Sequence, residues 1–388
     1  MFRQITRTVW IISIISLLND FSSEMLYPVI PLYLQQIGYG TLVIGILEGV
    51  AECIAGLMKI YSGSLSDRFE KRLPFVQLGY ALSILSRPLI GFTSSLGLIF
   101  TGRSLDRIGK GIRGGARDAL LADECSIHNR AEIFGFHRSM DTAGAVLGPL
   151  VAMIYLGFYP EAYRALFLIT LVPGILAILF TFWIKEKTAL PKEKKTFSIR
   201  ENFSFWKAAP LPYRRFLPIL LLFTLFNSSD MFLLLKAKDA GLNDQQVLML
   251  YLLFNVVFSL MAFPVGKLAD RLGKTKMLIF GLMIYALTYS GFAFAHTTTL
   301  IIISFICYGL FYAFTQGIIK ALLISKVGSD QKSNAVGFYD GINSISLLLT
   351  NALAGWIWYQ FGATTLFVYT AIGAACVAIL LFRQFRKG

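Results

Sequence analysis

The chain has 388 residues and a net charge of +14, with 56% of its residues hydrophobic and only 15% charged. Soluble domains usually carry about a quarter charged residues, so this composition excludes an ordinary soluble protein. Many of its apolar runs reach the roughly twenty residues that a bilayer-spanning helix needs. The class is therefore an all-α, multi-pass membrane protein in which each span satisfies its own backbone hydrogen bonds. In a soluble protein the excess of cations would suggest nucleic acid. Here Lys and Arg gather in alternate loops, the positive-inside pattern, and no nucleic-acid partner is implied.

Twelve spans are predicted, near residues 9–36, 41–63, 73–93, 96–114, 132–157, 164–184, 216–236, 245–266, 276–295, 299–323, 334–358 and 365–382. The first run is too long for a cleaved signal peptide and continues through Asn19 and Asp20, so it is read as a span. It carries Asp20 and Glu24 one turn apart on one face. The second span carries Glu48, Glu52 and Lys59 on one face, which reads as structural pairing. Between spans two and three lies SGSLSDRFEKR, residues 62–72.

The fourth span holds the densest charge. Arg103, Asp106, Arg107, Lys110, Arg113 and Arg117 follow steps of three and four, so they share an arc of roughly 120° on a helix. A charge at the bilayer centre costs about 2.5–3.5 kcal/mol on insertion scales. The stripe must therefore face a wet cavity, pair with acids or lie near a membrane surface. On span five His137 and Asp141 stand one turn apart, and Gly144 and Gly148 continue that face.

Residues 185–215 contain nine Lys or Arg and three Pro with little apolar periodicity, which marks a basic linker. The expected organisation is a first half at 1–184, this linker at 185–215 and a second half at 216–388. The second half is less charged. It has Asn227 and Asp230 on span seven, Asn255 on span eight, and Asp340 and Asn343 on span eleven. Span ten, CYGLFYAFTQG, repeats Tyr308, Tyr312 and Gln316 at four-residue steps, a wall of rings and polar tips suited to an organic molecule.

The halves echo one another. SGSLSDRFEKR returns as VGKLADRLGKTK at 265–276, and GFHRSMDTAGAVLGP at 135–149 returns as GFYDGINSISLLLTN at 337–351. A duplicated helical unit of this kind implies pseudo-twofold symmetry. Basic residues before the first span, after the last, and in the loops between place both termini in the cytoplasm.

On these motifs the chain resembles the major facilitator superfamily. Gly63, Leu65, Asp67, Arg68, Lys71 and Arg72 match that family's loop motif, with Glu70 where a glycine is usual. Gly266, Leu268, Asp270, Arg271, Gly273 and Lys274 match it a second time, and Arg103 stands where the family has its helix-four arginine. Gly144, Gly148 and Pro149 are similar to the helix-five signature of drug–proton antiporters, although Ala152 and Met153 replace its final glycines. The resemblance implies two six-helix halves, alternating access, and spans one, four, seven and ten lining a central cavity. It makes the loop motifs conformational latches. The loop charges run the fourth span from outside to inside, so Arg113 and Arg117 are expected to reach the cytoplasmic face, where they can meet Asp67.

A proton-coupled secondary transporter, an exporter of small organic molecules in the cytoplasmic membrane, is the leading expectation. Lipid, substrate and protons are its partners, and a monomer is expected. A carboxylate desolvated in a polar pocket can exchange protons near neutral pH. Asp20 and Glu24 are the first candidates, followed by Asp141 and Asp106. Arg103, Arg107 and Lys110 leave an alternative open, an organic anion such as a carboxylate metabolite, a phosphate ester or a siderophore. Buried ion pairs that only fix packing are the competing reading for each single residue.

No enzyme is indicated, because no nucleophile–base pattern stands out. The four cysteines and three histidines are scattered, so neither metal nor cofactor is expected. GKGIRG at 109–114 fits a dinucleotide-loop spacing, but no strand precedes it, and its glycines read as close helix packing.

Overall fold

The computed structural model describes residues 5–69, 71–125, 130–184, 186, 205–207, 209–328 and 331–386, with the side chains of 60, 62–69, 130–132, 332, 333 and 385 left aside. Among them every regular element is a helix. Packing divides the chain into two compact units, residues Met1–Tyr33 with Val50–Phe197, and Leu34–Gly49 with Ser198–Gly388.

Unit 1 begins with α1, Arg7–Leu26, which Thr6 caps by accepting from the Val9 N–H at 3.3 Å. The chain kinks at Tyr27 and Pro28 and resumes as α2, Val29–Gln36, since proline supplies no N–H to the ladder. Then come α3 (Thr41–Phe69), which belongs to this unit from Val50 onward, α4 (Leu73–Gly91), α5 (Leu96–Asp123), α6 (Arg130–Phe158), α7 (Tyr163–Ile169) and α8 (Leu171–Thr181). Helix α5 runs nine residues beyond its expected end. At the joint between α7 and α8 the Thr170 carbonyl accepts from the Gly174 N–H at 3.3 Å and also from Ser22 Oγ and Arg87 Nη1, each at 2.5 Å.

Helix α4 packs along α5 and α1 along α6. Glycines set both distances. A Cβ on Gly109 would lie 2.4 Å from the Gly79 carbonyl, and one on Gly144 or Gly148 would lie 2.4 Å from a carbonyl of α1. Side chains such as Val9, Ile12, Ile15, Val76, Tyr80, Leu120 and Ile133 form an apolar core between these helices.

Unit 2 contains α9 (Leu211–Thr224), α10 (Asp230–Asp239), α11 (Asp244–Leu272), α12 (Lys274–Ala293), α13 (Thr298–Ser325) and α14 (Lys332–Arg386). The continuous span expected at 216–236 is instead broken between α9 and α10. The sequence NSSD explains the break, because Ser229 caps α10 by accepting from the Met231 N–H. Helix α14 is two arms meeting at Gly362, whose φ of 84° lies in the left-handed region. The segment Leu34–Gly49 joins unit 2 because Gly45 and Gly355 admit close backbone approach, a Cβ on Gly45 meeting the Asn351 carbonyl at 2.3 Å.

Nine described helical stretches are long and apolar enough to cross a membrane. Helix α5 fails that test through its charges, and α9 and α10 fail it through their break. Large apolar side chains such as Phe263, Phe158 and Leu287 face outward on the spans, as a lipid-facing surface requires.

Candidate functional site

The charged stripe of α5 is the centre of unit 1. Arg103, Arg107 and Arg113 are each under 5% exposed, so each needs compensation. Arg103 Nη1 lies 3.6 Å from Asp106 Oδ2, and Arg107 Nη1 lies 3.3 Å from Glu52 Oε1 of α3. Both guanidinium groups sit 5.9 Å from the Tyr27 ring, within cation–π range. The stripe thus carries its own counter-charge, and Glu52 belongs to it.

Further along α5 the partners change. Arg113 Nη1 donates to Ser83 Oγ of α4 at 2.5 Å, and its guanidinium lies 5.1 Å from the Tyr80 ring. Arg117 Nη1 donates to Ser16 Oγ of α1 at 2.6 Å and lies 3.7 Å from Asp141 Oδ1 of α6, while its Nη2 pairs with Asp118 at 3.3 Å. His137 Nε2 lies 3.6 Å from the same Asp141 oxygen, and its Nδ1 lies 3.4 Å from Ser13 Oγ. Asp20 accepts from Asn19 Nδ2 at 3.1 Å and lies in the field of Asp141, Arg117, Arg113 and Lys110. Helices α1, α5 and α6 therefore converge on one network of ionisable groups inside an apolar unit. Such a network can hold charge away from lipid.

The structure brings Asp20, Arg117, His137 and Asp141 together, with Arg103, Asp106 and Arg107 further along the same face. Glu24 is half-buried one turn beyond Asp20, and Lys110 is exposed. Gly144, Gly148 and Pro149 are buried, the two glycines against α1.

The side chains of Arg113 and Arg117 turn toward neighbouring helices, where Ser83, Tyr80, Ser16 and Asp141 supply partners. The Gly63, Asp67 and Arg68 side-chain positions lie outside the described residues. Lys71 is exposed. Arg72 Nη1 donates to the Ala119 carbonyl at 2.8 Å and pairs with Asp123, and its backbone N–H donates to Glu186 at 2.6 Å. In the second copy Asp270 pairs with Lys274 at 3.2 Å, and Arg271 is exposed on α11, which also carries Gly266.

Unit 2 builds a different arrangement around the break between α9 and α10. The Ser229 N–H donates to Asn351 Oδ1 at 2.9 Å, Thr350 Oγ1 to the Thr224 carbonyl at 3.0 Å, and Tyr285 Oη to Asn227 Oδ1 at 2.9 Å. Tyr289 Oη lies 3.0 Å from Ser228 Oγ. Asp230, the first residue of α10, accepts from Tyr312 Oη at 3.0 Å and also from Tyr308. Gln316 is exposed one turn further along α13.

Sequence reasoning missed Arg87 and left Asp230 in the background. A lone Arg in an apolar span was the available signal for the first, and the capping pattern NSSD for the second.

The family model described as Major Facilitator Superfamily matches residues 12–251 and 221–387. The chain belongs to the major facilitator superfamily. It is a multi-pass membrane transporter, and this family is one of transporters, not of enzymes. Among superfamily relatives, the uncharacterized MFS-type transporter MJ1317 of Methanocaldococcus jannaschii is 31% identical over 98% of this chain and 95% of its own length. Multidrug resistance protein MdtG of Salmonella paratyphi C is 26% identical over 72% of this chain and 71% of its own. The solved nucleoside transporter NupG has the same superfamily fold, with a TM-score of 0.83, 14% identity, and coverage of 98% of this chain and 99% of that one.

Proposed function

We propose that the chain is a secondary active transporter of twelve spans that exports a small organic molecule across the cytoplasmic membrane, coupled to protons, by alternating access. Both termini lie on the cytoplasmic side in this reading. The observation that carries it is the network of Asp20, Arg117, His137 and Asp141 on three helices of unit 1. Ionisable groups inside a membrane unit are costly to keep, and they mark substrate and proton routes. Asp20 and Glu24 carry the proton in this proposal, Arg117 and Asp141 set their field, and Asp67 and Asp270 act in the switch between states. The likeness to a multidrug resistance protein supports export. The basic stripe speaks less for an organic anion, since Arg103 and Arg107 each have a carboxylate within 4 Å already.

Proteoliposomes with an imposed proton gradient and a panel of cationic and anionic candidates test the proposal. Asp20→Asn or Glu24→Gln should abolish gradient-driven accumulation and leave downhill exchange. If both single variants still concentrate substrate, the coupling acid lies elsewhere, and Asp141→Asn is examined next.

A further inference from the structure

Buried polar groups of a folded protein find hydrogen-bond partners, and an exception calls for one. In unit 1, Tyr80 Oη of α4 and His137 Nε2 and Asp141 Oδ1 of α6 are buried and have no hydrogen-bond partner among the described residues. The three residues are 1%, 4% and 5% exposed. His137 Nε2 lies 3.6 Å from Asp141 Oδ1, and Arg117 Nη1 of α5 lies 3.7 Å from the same oxygen. Both separations are too long for a direct hydrogen bond, and a polar contact of that length is where a bridging water belongs. The Tyr80 phenol shares the neighbourhood, in the field of Arg117, Arg113, Asp20 and Asp141.

We propose that Tyr80, Arg117, His137 and Asp141 form a binding site for one water molecule inside unit 1. The surrounding charges select a neutral ligand. Arg113 and Arg117 repel a metal cation, and Asp20 and Asp141 repel an anion. The donors and acceptors then match the valence of water. Arg117 Nη1 uses one N–H on Ser16 Oγ at 2.6 Å and has a second to give. In the tautomer whose Nδ1–H donates to Ser13 Oγ at 3.4 Å, His137 Nε2 is an acceptor. The water accepts from Tyr80 and Arg117 and donates to Asp141 Oδ1 and His137 Nε2, which fills the hydrogen-bonding capacity of a buried water. The site joins α4 to the network of α1, α5 and α6, and it stands on this geometry alone. In the proton-coupled reading, on which its use in transport rests, the water is a group through which a proton reaches Asp141.

The test is X-ray radiolytic labelling of the purified full chain in heavy-oxygen water, read by mass spectrometry. Hydroxyl radicals from the bulk do not reach buried rings, whereas those made from a bound water oxidise the side chains beside it. Heavy oxygen is expected at Tyr80 and His137 at doses that leave Tyr285 unmodified, since Tyr285 is fully buried with its hydroxyl on Asn227 at 2.9 Å. Asp141→Leu should abolish the label at Tyr80 and His137, and Tyr80→Phe should reduce it at His137. Asp20→Asn and Glu24→Gln should keep it, so failure of the coupling acids in the gradient assay and failure of this site are read separately. Tyr80 and His137 as silent as Tyr285, or a label undiminished in Asp141→Leu, overturns the proposal. A label that falls when sodium chloride replaces choline chloride assigns the site to a cation and overturns it as well. Should Asp141→Leu not fold, Tyr80→Phe decides, and an unchanged label at His137 is the overturning result.

Discussion

Arg117 donates to Ser16 of α1 and faces Asp141 of α6 at 3.7 Å while pairing with Asp118 beside it. Removing it leaves Asp141, which is 5% exposed, without its cation, and breaking one side of a buried pair costs about 3–5 kcal/mol. Arg117→Ala should therefore lower the midpoint of thermal unfolding clearly. Arg117→Lys should fall between the two, because a lysine keeps the charge but not the fork that reaches two helices. Adding Asp141→Asn to Arg117→Ala should recover much of the loss. A melt unchanged in Arg117→Ala would show that the network does not support the fold. At this scale the stripe itself was legible, since steps of three and four place charges on one arc. Its partners were not. Periodicity tells which side of α5 a residue occupies, and it does not tell that Ser83 and Tyr80 of α4 wait beside Arg113. The place of Arg113 in the chain does not report the Ser83 hydroxyl that accepts from it or the Tyr80 ring beside it.

The α4–α5 crossing depends on Gly79 and Gly109 in mutual contact. An alanine is worth about 1 kcal/mol more than glycine in a helix interior, yet at position 109 its Cβ would meet the Gly79 carbonyl at 2.4 Å. Gly109→Ala should therefore destabilise the protein in a thermal melt, whereas Gly114→Ala, with nothing within 4 Å of its Cβ, should be neutral or gain slightly. Equal behaviour of the two would remove the close-packing account. Most elements were readable, because a run of apolar residues has few alternatives in a bilayer. The breaks were harder. The Ser229 cap is local and visible, but the unwound residues are tolerated only because Asn351, Thr350 and Tyr285, distant in sequence, satisfy their backbone and side chains. Likewise Arg87 and Ser22 hold the Thr170 carbonyl from two other helices.

For the whole molecule, the repeated loop motifs announced the family, and the family model matches through both halves of the chain. Pairing by packing was less legible. Leu34–Gly49 groups with unit 2 through backbone contacts at Gly45 and Gly355, and no local signal reports such a contact. The outward apolar surface has a consequence for how variants of this protein fail. Leu287 on α12 is 70% exposed, so it contributes little to internal packing, but an arginine there would shift the insertion free energy of the span by about 3 kcal/mol. Damage at such a position is done during synthesis, when the nascent helix partitions between the translocation channel and lipid, before any tertiary contact exists. Leu287→Arg should therefore yield much less protein in the membrane fraction, while the molecules that do insert melt close to wild type. A normal yield with a lowered melt would place Leu287 inside the packing instead. The same reasoning makes the lipid face a region where the cell's quality control, and not the stability of the finished fold, decides which substitutions survive.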